Sequence, residues 1–273
     1  MIPTMRPDSV SSILMFIFNI FLTEQGINSI PLKKIFPILS PFGKSETAIR
    51  MGLSRAIQSG ILSNRRYGGE VYYDLTTIGH QALDEWRQTL VNFHRNINRQ
   101  QSGWNGLWTL FVINELSPID AGSTPHAWCP DLPMGRLCKD LWISPYPINA
   151  KTGEMPANML IMEAHLVSGL SHQEIAAQVW PVAELAEQYL DFIQNLEPAA
   201  ADLLTSEPTA LIALPFLHSY GSQLFNLIQA DPQLPLEVLP KDWFGIKAYQ
   251  AFQKIRQNVL PIAAKYISDI ISN

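Results

Sequence analysis

The side chains best suited to chemistry are arginines set among small polar residues within residues 45–73. Arg50 and Arg55 fall in one predicted helix, and Arg65 and Arg66 follow it closely beside two glycines. Guanidinium groups make paired hydrogen bonds to guanine edges and to phosphate oxygens. This pattern therefore predicts a nucleic-acid-binding surface rather than a catalytic centre.

The first two arginines lie in a segment predicted to be a helix. Ser45 can accept a hydrogen bond from an unpaired amide of the first turn, and Gly60 supplies a stop signal at the other end. Apolar residues recur at helical spacing as one stripe, namely Ile49, Leu53, Ala56 and Ile57. The other side is small and polar with cations, which suits entry into the major groove. The residues predicted to contact DNA from this helix and its start are Lys44, Ser45, Thr47, Arg50, Met51, Ser54 and Arg55.

Two extended runs separated by a glycine turn follow the helix. Residues 61–66 and 71–75 predict strands, and Gly68 and Gly69 allow the positive φ angles that a hairpin turn needs. A helix followed at once by a basic hairpin is the outline of a winged helix-turn-helix, and an ordinary solvated hairpin is the alternative. The residues predicted to contact phosphates or the minor groove from this wing are Arg65, Arg66 and Tyr67.

The distribution of charge supports the same interpretation. The chain has 273 residues and a formal net charge of −5. Its first 100 residues hold 11 Lys and Arg against 7 Asp and Glu, whereas the remainder holds 8 against 17. A basic head on an acidic body fits a DNA-reading domain joined to a sensing or dimerising body. Chance asymmetry is the alternative.

Other classes of protein are disfavoured by composition. Cys129 and Cys138 are too few for a disulfide scaffold, and with His126 they form no Cys-x-x-Cys unit. We therefore expect neither a metal site nor a cofactor. The apolar run 12–22 is about half the length of a membrane span and contains Asn19, so it predicts a buried first helix. No cleavage site follows it, and we expect a cytoplasmic protein without a membrane partner.

The fold class expected is α+β and mostly helical, with three domains. Residues 1–100 are predicted to form the winged helix-turn-helix with a long linker helix. Residues 101–170 are predicted to form a small ferredoxin-like unit, and residues 171–273 a helical C-terminal domain. The central strands are predicted at 108–113, 141–144 and 159–166.

Helices are predicted on both sides of the central unit. The N-terminal ones cover 12–22, 31–39 and 77–99. In the C-terminal domain Ser171 caps a pair of helices that break beside Pro181, and Pro215 is predicted to interrupt the next one. Residues 117–135 are predicted to be a loop or a poorly formed helix, and residues 231–245 are predicted to be a loop.

Four segments, taken in order, resemble one family. They are SPFGKSETAIRMGLSRAIQSGIL, WNGLWTLFVI, EIAAQVWPVAELAEQYLDFI and DPQLPLEVLPKDWFG. Together they are similar to the PaaX family of bacterial transcriptional repressors of phenylacetate catabolism, over nearly the whole chain. The resemblance implies a winged-helix head, a central ferredoxin-like unit related to a CRISPR-associated endonuclease, and a helical C-terminal domain. It also implies a homodimer on a partly palindromic double-stranded DNA operator, released by an acyl-CoA such as phenylacetyl-CoA.

Departures from the family pattern bear on what the chain binds. Met51 and Gly52 stand where the family favours a small polar residue and an alanine, and glycine costs a helix about 1 kcal/mol relative to alanine. The stretch after the first central strand holds only Arg136 and Lys139 as cations, and Gly221 replaces the arginine of a His-x-Tyr-Arg motif. Coenzyme A carries several phosphate charges, so the effector is left open as another acyl-CoA, an uncharged molecule or none.

Candidates for an effector pocket are aromatic and polar residues of the C-terminal domain, although such residues are more often part of a core. They are Trp180, His218, Tyr220 and Trp243. A metal-dependent nuclease is a weaker alternative, because Glu115 and Asp120 follow the first central strand but no catalytic motif accompanies them. We therefore expect no enzymatic activity. A third alternative is a scaffold whose winged helix binds protein.

Overall fold

The computed structural model describes residues 6–113, 129, 132–148, 159–205 and 209–273. These residues form a mostly helical α+β protein with two small antiparallel sheets. The first of two compact units comprises Met1–Val91, Leu190–Ile228 and Lys247–Asn273, and the second comprises Asn92–Tyr189 and Gln229–Ile246. Each unit combines segments that are far apart in the sequence. The three sequence domains stay a prediction.

The N-terminal elements match most of the predicted ones. The helices are α1 (Val10–Ile17), α2 (Leu32–Leu39), α3 (Glu46–Gln58) and α4 (Thr77–Gln101). The strands are β1 (Ser29–Pro31), β2 (Leu62–Tyr67) and β3 (Glu70–Leu75). A π-helical turn at Phe18–Leu22 extends α1, and a 3-10 turn at Ser40–Phe42 separates α2 from α3. The predicted helices and hairpin strands are confirmed with small shifts at their ends, whereas β1 is not among the predicted strands.

In the rest of the described chain the strands come first and the helices follow. The strands are β4 (Leu107–Ile113), β5 (Gly135–Cys138), β6 (Leu141–Ser144) and β7 (Met159–His165). The helices are α5 (His172–Val179), α6 (Val182–Thr205), α7 (Ala210–Ala230) and α8 (Gly245–Ser272). The predicted cap at Ser171 is confirmed as a capping box with Glu174, and the predicted break at Pro181 separates α5 from α6.

Two of the element predictions are wrong. Pro215 does not interrupt its helix but lies inside α7, where its buried neighbours Leu214 and Phe216 hold the helix through the missing hydrogen bond. The predicted loop 117–135 ends too late, because Gly135 already belongs to β5. Residues 117–128 of that loop lie outside the described residues.

The sheet of the first unit is built around the predicted hairpin. Its strand order is β1-β3-β2, with both pairings antiparallel. Arg65 pairs with Tyr72, and Tyr67 pairs with Glu70, so the turn contains only two residues. These are the two glycines at 68 and 69, with φ angles of 58° and 82°, as the sequence predicts.

The close approach of α1 and α3 explains why residue 52 is a glycine, although glycine disfavours a helix. A Cβ atom placed on Gly52 would lie 2.3 Å from Val10 Cβ. Because real Cβ contacts are not that short, only glycine allows α1 to pack this near to α3. Gly52 therefore lowers the helix propensity of α3, but it allows α1 to pack closely against the helix that carries Arg50 and Arg55.

The four-stranded sheet of the second unit has order β5-β6-β4-β7 and is covered on both faces. Trp108 and Ile143 pack on one face against Trp180 and the loop around Val238. On the other face, Phe111 belongs to a separate cluster. The ferredoxin-like description of this unit stays a prediction. Within the described residues, no helix is both long enough and apolar enough to cross a membrane.

Candidate nucleic-acid interface

One side of α3 is polar and faces solvent. The side chains on its inner surface are buried, namely Ile49, Gly52, Leu53 and Ala56. The outer surface carries the predicted contact residues Thr47, Arg50, Met51, Ser54 and Arg55, all exposed. Their spacing follows the helical period, so the structure brings them together as one stripe, which we name the α3 stripe.

Local hydrogen bonds fix both ends of α3. The Ser45 hydroxyl accepts a hydrogen bond from the Ala48 amide at 3.2 Å. At the other end Gly60 has a φ of 75°, and the amides of Gly60 and Ile61 donate to carbonyls of the last turn. The predicted start and stop are therefore confirmed. The Ser45 hydroxyl is engaged in capping the helix.

The arginines of the α3 stripe differ in their freedom. The Arg50 guanidinium carbon lies 5.2 Å from the centre of the Phe36 ring on α2, a cation–π contact that restrains the side chain. Arg55, in the last turn, forms no ion pair within the described part of the chain. Met51 between them is 52% exposed, and its apolar surface could contact a thymine methyl group.

The two wing arginines also differ. Arg65 Nε lies 3.0 Å from Asp74 Oδ2, and its guanidinium carbon lies 5.0 Å from the centre of the Tyr72 ring. Arg66 points to the opposite face of the ribbon and makes no ion pair with any described residue. Tyr67 at the tip is 71% exposed. Arg66 is thus freer to meet a ligand than Arg65, whereas the exposed Tyr67 ring contacts the Tyr72 ring edge-on, with ring centres 6.4 Å apart.

The base of the wing is tied to its surroundings. Lys33 Nζ on α2 lies 2.6 Å from Glu70 Oε1, and that carboxylate raises the pKa of Lys33 above its ordinary value. The Thr76 hydroxyl accepts a hydrogen bond from the Gly79 amide, which anchors the start of α4 beside the hairpin. Lys33 is not among the residues that the sequence pattern predicts to contact DNA. The only available signal was a lysine in the first turn of a predicted helix.

Lys44 is separate from the α3 stripe. It is half-buried, and it lies close enough to the buried His218 to affect its ionisation. Burial and, to a smaller extent, the charge of Lys44 lower the pKa of His218 to about 4, while the charge of Asp8 acts in the opposite direction. The imidazole is therefore neutral near pH 7.

The four effector candidates do not form one site. Trp180 and Trp243 belong to the second unit, where both pack in the apolar cluster on the sheet and Trp180 stacks on Trp108. His218 and Tyr220 lie on α7 in the first unit. The Tyr220 hydroxyl donates to the Asn195 carbonyl at 3.1 Å. Each candidate is engaged in packing or hydrogen bonding.

A buried carboxylate escaped the sequence analysis. Asp231 Oδ2 accepts a hydrogen bond from the Tyr189 hydroxyl at 3.0 Å, and Oδ1 accepts one from the Gln233 amide at 2.7 Å. Burial raises the pKa of Asp231 to about 6, although both hydrogen bonds lower it. Gln233 has the left-handed φ of 55°, so the loop bends sharply at this carboxylate.

Metal or nuclease chemistry has no visible centre in the described residues. Among them, no group of three or more His, Cys, Asp or Glu side chains could hold a metal ion. Cys129 is buried and Cys138 is exposed, and both are free thiols. Glu115, Asp120 and His126 lie outside the described residues.

Comparison with known proteins gives consistent matches. Residues 10–79 match the model of the PaaX-like protein family, and residues 180–269 match that of the PaaX-like protein C-terminal domain. The transcriptional repressor PaaX of Escherichia coli is 28% identical over 280 residues, which cover 96% of this chain and 84% of that protein. An uncharacterized protein of Mycobacterium tuberculosis has a similar fold, with a TM-score of 0.54 at 16% identity, over 96% of this chain and 99% of that one.

Proposed function

Because this chain belongs to the PaaX-like protein family, we propose that it is a sequence-specific DNA-binding transcriptional repressor of phenylacetate-type catabolism. The observation that carries the proposal is the α3 stripe, an exposed polar helix face with two arginines beside a basic hairpin. An α-helix fits the major groove, where arginine reads guanine by two hydrogen bonds. The similarity to a repressor also favours a cytoplasmic, non-enzymatic protein.

In this mechanism α2, α3 and the β2–β3 hairpin act as a winged helix-turn-helix. Thr47, Ser54 and the two arginines of α3 contact the major groove, while Arg66 and Tyr67 hold the flanking backbone. Phosphate contacts position the protein, and base contacts confer specificity. A homodimer presents two α3 helices to half-sites one helical turn, or a multiple of it, apart.

Release from DNA is proposed to follow from an acyl-CoA such as phenylacetyl-CoA. A ligand that binds better to a DNA-incompetent arrangement shifts the population away from the operator. Trp180 and Trp243, and separately His218 and Tyr220, are the residues through which such a ligand would act. Since these residues are packed or hydrogen-bonded, entry of a ligand requires local rearrangement around them.

The proposal is tested by fluorescence anisotropy with DNA from upstream of the gene and with a shuffled duplex. Arg55→Ala should weaken binding to the native DNA by about 1–3 kcal/mol, because a base contact is lost. Arg95→Ala removes the same charge from an exposed position on α4 and should leave the affinity unchanged. Equal affinities of Arg55→Ala and the unaltered protein would exclude Arg55 from the interface. Addition of phenylacetyl-CoA tests the effector.

A protein-binding scaffold is the second candidate function. It is favoured by the exposed apolar surface of Met51 and Tyr67, which a protein partner would cover. The same titrations separate the two functions when repeated at a second salt concentration. DNA binding releases counterions and weakens steeply with salt. An affinity without sequence preference and with little salt dependence would favour the scaffold.

A further inference from the structure

His218 is a buried polar residue of α7, only 5% exposed. Its ring meets Phe16 of α1 and Phe42 edge-on, with ring centres 5.1 Å and 5.7 Å away. Its Nε2 atom lies 3.4 Å from the Ser12 hydroxyl, also on α1. One side chain of α7 therefore touches two separate segments of the N-terminal part, and all of these residues lie in the first unit.

Both segments position α3. Phe42 closes the 3-10 turn before α3, and the left-handed Gly43, with a φ of 64°, leads from it to the capping residue Ser45. α1 meets the middle of α3 at the Val10–Gly52 contact, where there is no room for even one additional carbon atom. If α1 or the turn at Phe42 is displaced, α3 must therefore move as well, because closely packed elements leave no free space between them.

A second C-terminal helix of this unit, α8, supports α2. The Tyr266 hydroxyl on α8 donates to the Pro37 carbonyl at 2.8 Å, and Lys34 Nζ donates to the Ile271 carbonyl. α8 thus holds the first helix of the helix-turn-helix, whereas α7 holds the turn that leads into the second. The turn is the part that sets where α3 begins.

We propose that His218 is a positioning residue for DNA recognition, which couples the place of α7 to the N-terminal end of α3. The consequence for DNA affinity rests on the proposed function, whereas the coupling within the free protein does not. A neutral imidazole suits this role, since its ring packs against two phenylalanines while a ring nitrogen meets the Ser12 hydroxyl. An arrangement of the C-terminal helices that moves His218 shifts α3 and weakens operator binding.

Hydrogen exchange of the free, full-length protein tests the coupling. His218→Ala should speed amide exchange in a peptide covering residues 43–51, since the start of α3 loses its support. Phe225→Leu is the matched control, because Phe225 is a buried aromatic residue of α7 that packs on Trp86 of α4 instead. Unchanged exchange of that peptide in His218→Ala, or an equal change in Phe225→Leu, overturns the inference.

Operator affinity supplies a readout that a merely stabilising role would not move. At temperatures giving equal folded fractions, His218→Ala should bind the operator at least about fivefold more weakly, within the usual range of coupling between sites. His218→Phe keeps the ring contacts and should recover most of this loss, whereas Phe225→Leu should bind as the unaltered protein does. No recovery by His218→Phe contradicts the packing role of the ring.

The two readouts separate this inference from the proposed function. Faster exchange in His218→Ala without sequence-specific DNA binding by the unaltered protein leaves the coupling intact and removes the DNA function. Sequence-specific DNA binding by the unaltered protein, with unchanged amide exchange in His218→Ala, supports the DNA function and removes the coupling. If His218→Ala does not fold, Ser12→Ala replaces it, and a faster exchange of the same peptide is again expected.

Discussion

The α3 stripe and two buried titratable groups, His218 of α7 and Asp231 just after that helix, place charge in opposite environments. Arg55 is exposed to water, so its interactions are screened by salt and can be exchanged for those of a ligand. His218 and Asp231 are buried. Burial lowers the pKa of His218 to about 4 and raises the pKa of Asp231 to about 6, so in each residue the neutral form is favoured. The surface can change partners at little cost. The interior cannot change its charge unless the packing around it also changes.

Gly52 lies on the buried side of the helix that carries the α3 stripe, and it gives the largest expected effect. Gly52→Ala places a Cβ atom 2.3 Å from Val10 Cβ, so α1 and α3 must move apart. Overpacking of this kind should lower the free energy of unfolding by about 3 kcal/mol, even though alanine favours the helix. Urea unfolding followed by circular dichroism measures the change.

Gly221→Ala is the matched control for this substitution. It is also a helical glycine, but its added Cβ would lie 3.5 Å from the Phe252 ring, an ordinary contact. Alanine should therefore stabilise the protein by up to about 1 kcal/mol there. Val10→Gly combined with Gly52→Ala should recover part of the loss, because Val10 Cβ and both of its methyl groups, which would lie 2.3–2.9 Å from the added atom, are gone. Equal stabilisation by both glycine substitutions would show that α1 and α3 have room to spare.

Asp231 gives the next largest effect, through pH. Its folded pKa of about 6 lies above the ordinary value of 3.8, so the folded state holds the proton more tightly. The contribution of this group to the free energy of unfolding is therefore lost as pH rises from about 4 to about 6, by roughly 2–3 kcal/mol. Asp231→Asn removes this loss. Urea unfolding at several pH values measures it.

The difference between variant and unaltered protein is the informative quantity, since other groups titrate in the same range. The advantage of Asp231→Asn should grow between pH 4 and pH 6 and then level off. Asp242→Asn removes an exposed carboxylate from the same loop and serves as the control for losing a carboxylate that is not buried. Parallel curves for Asp231→Asn and the unaltered protein would mean that this carboxylate is not desolvated.

The elements that the sequence predicted well are those with local signals. Ser45 caps an amide three residues away, Gly60 ends the same helix, and the two wing glycines lie at adjacent positions. Each signal acts within a few residues, so no tertiary information is needed to interpret it. The start and stop of α3 and the turn of the wing follow directly from them.

What the sequence missed depends on distances between elements. Nothing local shows that Gly52 meets Val10, or that His218 meets Ser12 across more than two hundred residues. β1 has only three residues and no periodicity to detect. Pairing of Arg65 with Asp74 could have been found, because the hairpin register places these two residues near each other.

The two arginines of the wing give the smallest expected effect, a change in the salt dependence of DNA binding. Arg66 makes no ion pair with any residue that the structure describes, whereas Arg65 is paired with Asp74 and lies over the Tyr72 ring. Arg66 should therefore carry the phosphate contact. Arg66→Ala should reduce the slope of log affinity against log salt by about 0.9, on native and shuffled DNA alike. Arg65→Ala should change it less.

Anisotropy titrations at a series of salt concentrations measure both slopes. Asp74→Asn releases Arg65 from its ion pair, so this variant should steepen the slope by up to about 0.9, which is one additional phosphate contact. A loss for Arg66→Ala that is confined to the native sequence would instead assign Arg66 to base recognition. Equal slopes for Arg65→Ala and Arg66→Ala would mean that DNA competes with Asp74 for Arg65, and an exposed ion pair of this kind is weak enough to be displaced.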